Sequence, residues 1–164
     1  MPPLVAEIAN GAVTWQRIEG IDYEVLGYFL SCHLVIEHYI DEYLKLCCPA
    51  LDWDAARQSF NQKVSLLSRF KVSAKYDCIP SIKHLNALRN KISHDIDFKI
   101  KPDDLLPLTE YLTRVYGDEP IKVPKETKRI LSEFTSTTCV LFASFISGYA
   151  RGSQPKKVAS EPSE

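Results

Sequence analysis

Excess charge of either sign is missing: 20 Lys and Arg face 21 Asp and Glu over 164 residues, a formal −1. Taken alone, that balance argues against a globally basic nucleic-acid binder. No C-x-x-C occurs among Cys32, Cys47, Cys48, Cys78 and Cys139. An odd number of cysteines with one adjacent pair encodes neither a disulfide framework nor a zinc knuckle, and it fits the reduced thiols of a cytoplasmic protein. His33 and His38 do not form H-E-x-x-H, so no metal is expected. No basic segment precedes the apolar residues of the opening Met1-Pro2-Pro3-Leu4-Val5-Ala6-Glu7, which argues against secretion. Long apolar runs are also lacking. Residues 134–150 carry no charge for 17 positions, yet six of these are Ser or Thr. A buried helix is therefore expected there, and not a membrane span, which needs about 20 mainly apolar residues.

What is present is 45% hydrophobic and 10% aromatic residues, enough for a real core in one domain. The charge is also segregated. Residues 57–101 hold Arg57, Lys63, Arg69, Lys71, Lys75, Lys83, Arg89, Lys91, Lys99 and Lys101 against only Asp77, Asp95 and Asp97, a net +7 that leaves −8 on the remainder.

Helical signals dominate. A proline-free stretch from Asp22 to about Leu46, with Leu26, Leu30, Leu34, Tyr39, Ile40 and Tyr43, predicts a long, mostly buried helix ended by Pro49. Asp52 or Asp54 can cap a second helix running through Phe60, Val64, Leu66, Leu67 and Phe70. A third opens at Pro80 and fades between Ser93 and Asp97. A fourth starts near Asp103-Asp104, tolerates Pro107 and stops at Gly117, and residues 120–124 form a linker. The fifth runs from about Lys125 to Tyr149 with the stripe Ile130, Phe134, Leu141, Phe145 and Tyr149. The expectation is an all-α antiparallel bundle of about five helices over 22–150. Residues 1–21, broken at Gly11 and Gly20, favour no one element, and 151–164 form a disordered tail.

The third helix carries the chemistry. At 100° per residue, Ile82, Leu85, Leu88, Ile92 and Ile96 share an arc of about 120° that should face the core. Arg89 projects inside that arc, so its guanidinium should be buried with a partner or extend along the core edge to a cleft. Beside it Ser93, Asn86, Asn90 and His94 form a stripe of hydrogen-bonding groups. Glu37 and Asp41, one turn apart on the first helix, are placed to pair with Arg89, with Glu37 the favoured partner. His84 projects on the far side from Leu85 and Ile92 and is expected at the surface.

The run Leu85-Asn86-Ala87-Leu88-Arg89-Asn90-Lys91-Ile92-Ser93-His94-Asp95 resembles the helix of HEPN domains, with its Arg, polar residue, spacer and His. The earlier stretch Leu34-Val35-Ile36-Glu37-His38-Tyr39-Ile40-Asp41 resembles the first helix of the same small bundles. The likeness covers about 22–97 and is closest to single-domain members related to toxins and to the mannitol operon repressor group. It implies a metal-independent endoribonuclease without a cofactor, working as a homodimer with two Arg/His helices facing one cleft. By the same resemblance Arg89 meets the scissile phosphate, Asn90 supports it and His94 transfers protons, with Ser93, Glu37 and Asp41 supporting. Lys83 and Lys91 are expected to meet the RNA backbone.

Those roles make chemical sense. RNA brings its own nucleophile, the ribose 2′-OH, so cleavage to a 2′,3′-cyclic phosphate needs only an imidazole to move protons and a cation to hold the developing charge. Arginine's planar fork suits phosphate oxygens. A toxin or phage-defence role would imply a separate antitoxin, of the minimal nucleotidyltransferase kind. The alternative is a non-catalytic HEPN-like regulatory or partner-binding module, as in the mannitol operon repressor group.

Overall fold

The computed structural model describes residues 4–16, 21–67, 70–95, 98–117 and 124–152. Arg69, Ile96, Asp97, most of the expected linker and the expected tail beyond Gly152 lie outside the described residues.

The chain opens with a feature that the helical reading passes over. Strands β1 (Leu4–Ala9) and β2 (Ala12–Gln16) pair antiparallel, Ala9 opposite Ala12, with an irregularity between Val5 and Glu7. Asn10 and Gly11 turn the chain with φ of 51° and 76°. An Asn-Gly pair takes up such positive φ values readily, and this two-residue turn matches the twist of the flanking strands. Side chains 5–15 of the hairpin are all exposed, so the bundle is built without it.

Helix α1 spans Tyr23–Cys47, with the Asp22 side chain accepting from the Val25 N–H at 2.9 Å. Its buried stripe is Phe29, Cys32, His33, Ile36, Ile40, Tyr43 and Leu44. Leu30, Leu34 and Leu46, which the sequence reading counts towards a buried helix, are exposed instead, and so is Val35. Neighbours cover only one side of α1, so an apolar composition extending round the helix leaves part of it in solvent.

The predicted second helix is divided. Asp52 caps a single turn, α2 (Trp53–Ala56), which stops where Arg57 turns left-handed at φ 41°. A new start follows: Ser59 accepts from the Gln62 N–H, and the Gln62 side chain accepts from the Ser59 N–H, opening α3 (Phe60–Leu66) with a capping box. A 3-10 turn, Ala74–Tyr76, leads to α4 (Ile79–His94), which has Pro80 in its first turn. A second 3-10 turn, Pro102–Leu105, feeds α5 (Leu106–Tyr116), which Gly117 ends at φ 64°.

Helix α6 runs Thr127–Gly152, three residues past the expected end. Its buried face is Ile130, Leu131, Phe134, Thr138, Cys139 and Phe142, and Tyr149 of the expected stripe is 42% exposed. By length and composition this helix could cross a membrane, with a mean hydropathy of 1.4 over its most apolar window. In this fold its stripe makes the most extensive helix contact in the molecule, against α1. Tyr43, Phe70 and Phe142 close one end of the core, with the Phe70 and Phe142 rings stacked 4.5 Å apart. Among the described residues the molecule is thus five multi-turn helices around one core, plus a hairpin.

Candidate functional site

Helix α4 buries Ile82, Leu85 and Leu88 as its wheel predicts, but Arg89 is exposed despite sharing their arc. Position along the helix decides this. Asn86 meets Asn61 in the first turn of α3, so one turn later the azimuth that is walled at Ile82 opens to a cleft. Arg89 reaches into that space, its Nη1 donating to Asn90 Oδ1 at 3.4 Å.

The cleft has a volume of about 590 Å³ and is floored and walled by three rows. Helix α1 supplies Leu30, His33, Leu34 and Glu37, which its periodicity places on one face. The α3 region supplies Gln58 and Asn61, and α4 supplies Asn86, Arg89 and Asn90.

Beneath the cleft runs a chain of hydrogen bonds with a fixed direction. The Asn86 amide nitrogen donates to Asn61 Oδ1 at 2.8 Å, which turns Asn86 Oδ1 towards His33. His33 Nε2 therefore donates to that oxygen, at 3.2 Å. The imidazole is 5% exposed and lies 4.3 Å, centroid to centroid, from Phe60. Burial pushes its pKa below the ordinary value, outweighing the Asn86 hydrogen bond and the Glu37 carboxylate, and the Arg89 charge adds to the lowering.

Glu37 does not pair with Arg89 as expected. Lys63 of α3 takes both acidic residues instead, Nζ lying 2.7 Å from Glu37 Oε1 and 2.9 Å from Asp41 Oδ2. Burial of Lys63 opposes its charge, but the two carboxylate hydrogen bonds outweigh this and raise its pKa. Lys63 sits between the helices with its ammonium already inside, whereas Arg89 faces outward past them.

The predicted polar stripe is therefore three different things. Asn86 is buried in the His33 chain, Ser93 Oγ donates back to the Arg89 carbonyl at 2.9 Å, and Asn90 stands beside Arg89 at the cleft. His94 is exposed as the last residue of α4, at the helix end and outside the set that lines the cleft. His84 is half-buried, not a free surface group, and bonds to the Asp104 carbonyl at 2.7 Å, tying α4 to the turn before α5.

Lys83 and Lys91 are both exposed. Lys91 Nζ lies 4.0 Å from the centroid of the Phe98 ring and shares a basin with Asp95, Lys99 and Lys101, at the same end of α4 as His94. Three cations of the basic segment, Lys91, Lys99 and Lys101, thus share one basin with the carboxylates of Asp95 and Asp104, and Lys63, one of its ten cations, is neutralised internally.

Sequence reasoning missed His33, Asn61 and Gln58 as members of one site. The spacing of Leu30, His33, Leu34 and Glu37 marks a single face, and Ser59-x-x-Gln62 announces a helix start that puts Asn61 in a first turn. Comparison with known protein families, with characterised proteins and with solved structures finds no match to this chain.

Proposed function

We propose that the protein is a HEPN-type, metal-independent endoribonuclease of the cytoplasm, acting as a homodimer in a toxin or phage-defence setting, with a nucleotidyltransferase-like antitoxin as the cognate partner. The observation that carries this reading is the solvent-facing Arg89 and Asn90 on the same terminal turns of α4 as exposed His94, with Lys91, Lys99 and Lys101 alongside.

In the proposed reaction Arg89 holds the scissile phosphate through its fork of N–H donors. An imidazole removes the 2′-OH proton as O2′ bonds to phosphorus. The P–O5′ bond breaks, O5′ takes a proton, and the products are a 2′,3′-cyclic phosphate and a 5′-OH. A dimer would offer one His94 for each transfer. Exposed Leu34 and Val35 on α1 supply apolar surface for such an association.

The test is incubation with RNA in EDTA, followed by end-group determination. Cyclic phosphate ends are expected from the native protein, and none from His94→Ala with an unchanged melting curve. Equal cleavage by a well-folded His94→Ala protein overturns the assignment. The same exposed α1 surface also favours a second reading, a non-catalytic partner-binding module, which a lack of cleavage by the native protein would support.

A further inference from the structure

We propose that the N-terminal hairpin is a dimerisation arm, its apolar face seated on the exposed face of α1 of a second copy, and the reverse, across a two-fold axis. This rests on the homodimer of the proposed reading and on none of its chemistry.

The arm is one-faced, although its sequence hides this. Opposed residues of two antiparallel strands share a face, so Val5 joins Trp15 and Ile8 joins Val13. Val13 and Trp15 are two apart and point the same way, whereas Val5 and Ile8 are three apart and by plain alternation would not. The irregularity between Val5 and Glu7 absorbs the extra residue, as a bulge does, and brings all four to one side. The other side takes Glu7, Thr14, Ala9 and Ala12. All four apolar side chains are exposed, Ile8 at 71% and Trp15 at 60%. A lone two-stranded hairpin is marginal in water and needs a helix or further strands against its apolar face.

Helix α1 offers the matching surface. Between Tyr23 and Val35 its solvent side carries Tyr23, Tyr28, Leu30, Leu34 and Val35, with Leu34 64% exposed. Glu24 is the only Asp, Glu, Lys or Arg in that stretch, and it pairs with Lys128. Ser31 Oγ donates to the Gly27 carbonyl at 2.9 Å, so its hydroxyl is already satisfied and does not resist burial. A Cβ on Gly27 would meet nothing within 4 Å, so the surface dips there and leaves room for a large ring such as that of Trp15. Tyr23 to Val35 spans about 18 Å of helix and the six residues of β1 about 20 Å of strand, so the two surfaces match in length.

Area points to a second copy. Within one chain the two surfaces are exposed together, so neither covers the other. At about 60–120 Å² for a buried Val, Leu or Ile and up to about 250 Å² for an aromatic ring, the exposed fractions leave roughly 700 Å² of apolar surface per protomer. A two-fold pairing buries both surfaces of both chains at once, close to the ~800 Å² per partner of a standard stable interface. A different protein seated on one surface alone would bury half of that and leave the other in solvent. Leu30 and Leu34 also line the cleft that Arg89 reaches into, so an arm seated there borders that cleft.

Sedimentation of the full chain across a concentration series tests this, read beside Trp15 emission in a Trp53→Phe background. A dimer is expected, with emission that shifts to the blue as the dimer forms. Trp15→Ser and Leu34→Glu should each raise the dissociation constant at least tenfold with an unchanged far-ultraviolet dichroism spectrum, because neither side chain belongs to the core. A native monomer, a dimer that tolerates either substitution, or emission already blue in the monomer, as an arm folded on its own α1 would give, overturns the proposal. The two readings fail separately. A native monomer removes the homodimer along with the arm, a dimer that tolerates the substitutions removes the arm alone, and the end groups of cleaved RNA judge the nuclease by themselves.

Discussion

His33 shows how a side chain with no sequence motif becomes the organiser of a site. It fails every metal-ligand spacing, and its neighbours Leu30 and Leu34 read as core, yet it closes the hydrogen-bond chain that joins α1 through Asn86 to Asn61. The same burial makes a pH prediction. The unfolded imidazole titrates near the reference value of 6.5, whereas the folded one takes its proton at lower pH. Between those two values the unfolded chain binds more protons. The contribution of His33 to stability is therefore whole above about pH 6.5 and is lost as the pH falls from there towards the folded pKa. His33→Gln offers an amide N–H to Asn86 but does not titrate. Urea midpoints at pH 7.5 and 5.5 should drop further in the native protein than in the variant, and equal drops would show that His33 does not contribute. Arg89 teaches the opposite lesson, because a wheel reports azimuth and not depth: seven residues beyond buried Ile82 on nearly the same line, it lies past the Asn86–Asn61 contact and in solvent.

At the scale of elements, the sequence was most legible where a boundary has a local chemical cause. Pro49 after α1, Pro80 at the opening of α4, and Gly117 after α5 were all read correctly because proline and glycine act on their own backbone. The break between α2 and α3 was legible too, in Ser59-x-x-Gln62, but the apolar run through Phe60, Val64 and Leu67 masked it. The hairpin escapes for a different reason, since Asn10-Gly11 is a strong turn signal beside strands too short to show a pattern. Burial on α1 and α6 was only partly legible, because which side of an all-round apolar helix is covered depends on its neighbours. The Ser59 cap gives a direct test at this scale. Ser59→Ala removes the acceptor of the Gln62 N–H and should cost about 1 kcal/mol in the typical range for such caps. A lowered urea midpoint with an unchanged slope would register it, and an unchanged midpoint would show that α3 is held by its packing alone.

For the whole molecule, the distribution of charge matters more than its sum. The formal −1 hides a +7 segment, and folding sorts its cations into paired and solvent-facing ones. Lys63 is withdrawn into a half-buried cluster with Glu37 and Asp41, while Lys83, Arg89, Lys91, Lys99 and Lys101 stay in solvent. An RNA backbone crossing the end of α4 would meet several of these cations at once and release the counterions it carried. Binding of a non-cleavable single-stranded RNA should accordingly weaken linearly in log affinity against log salt, with a slope of about −0.7 for each phosphate neutralised. Lys91→Gln should make that slope shallower by about one such unit and lower affinity alike for all sequences, since a lone ammonium reads no base. A salt slope that Lys91→Gln does not change would place the RNA elsewhere on the molecule.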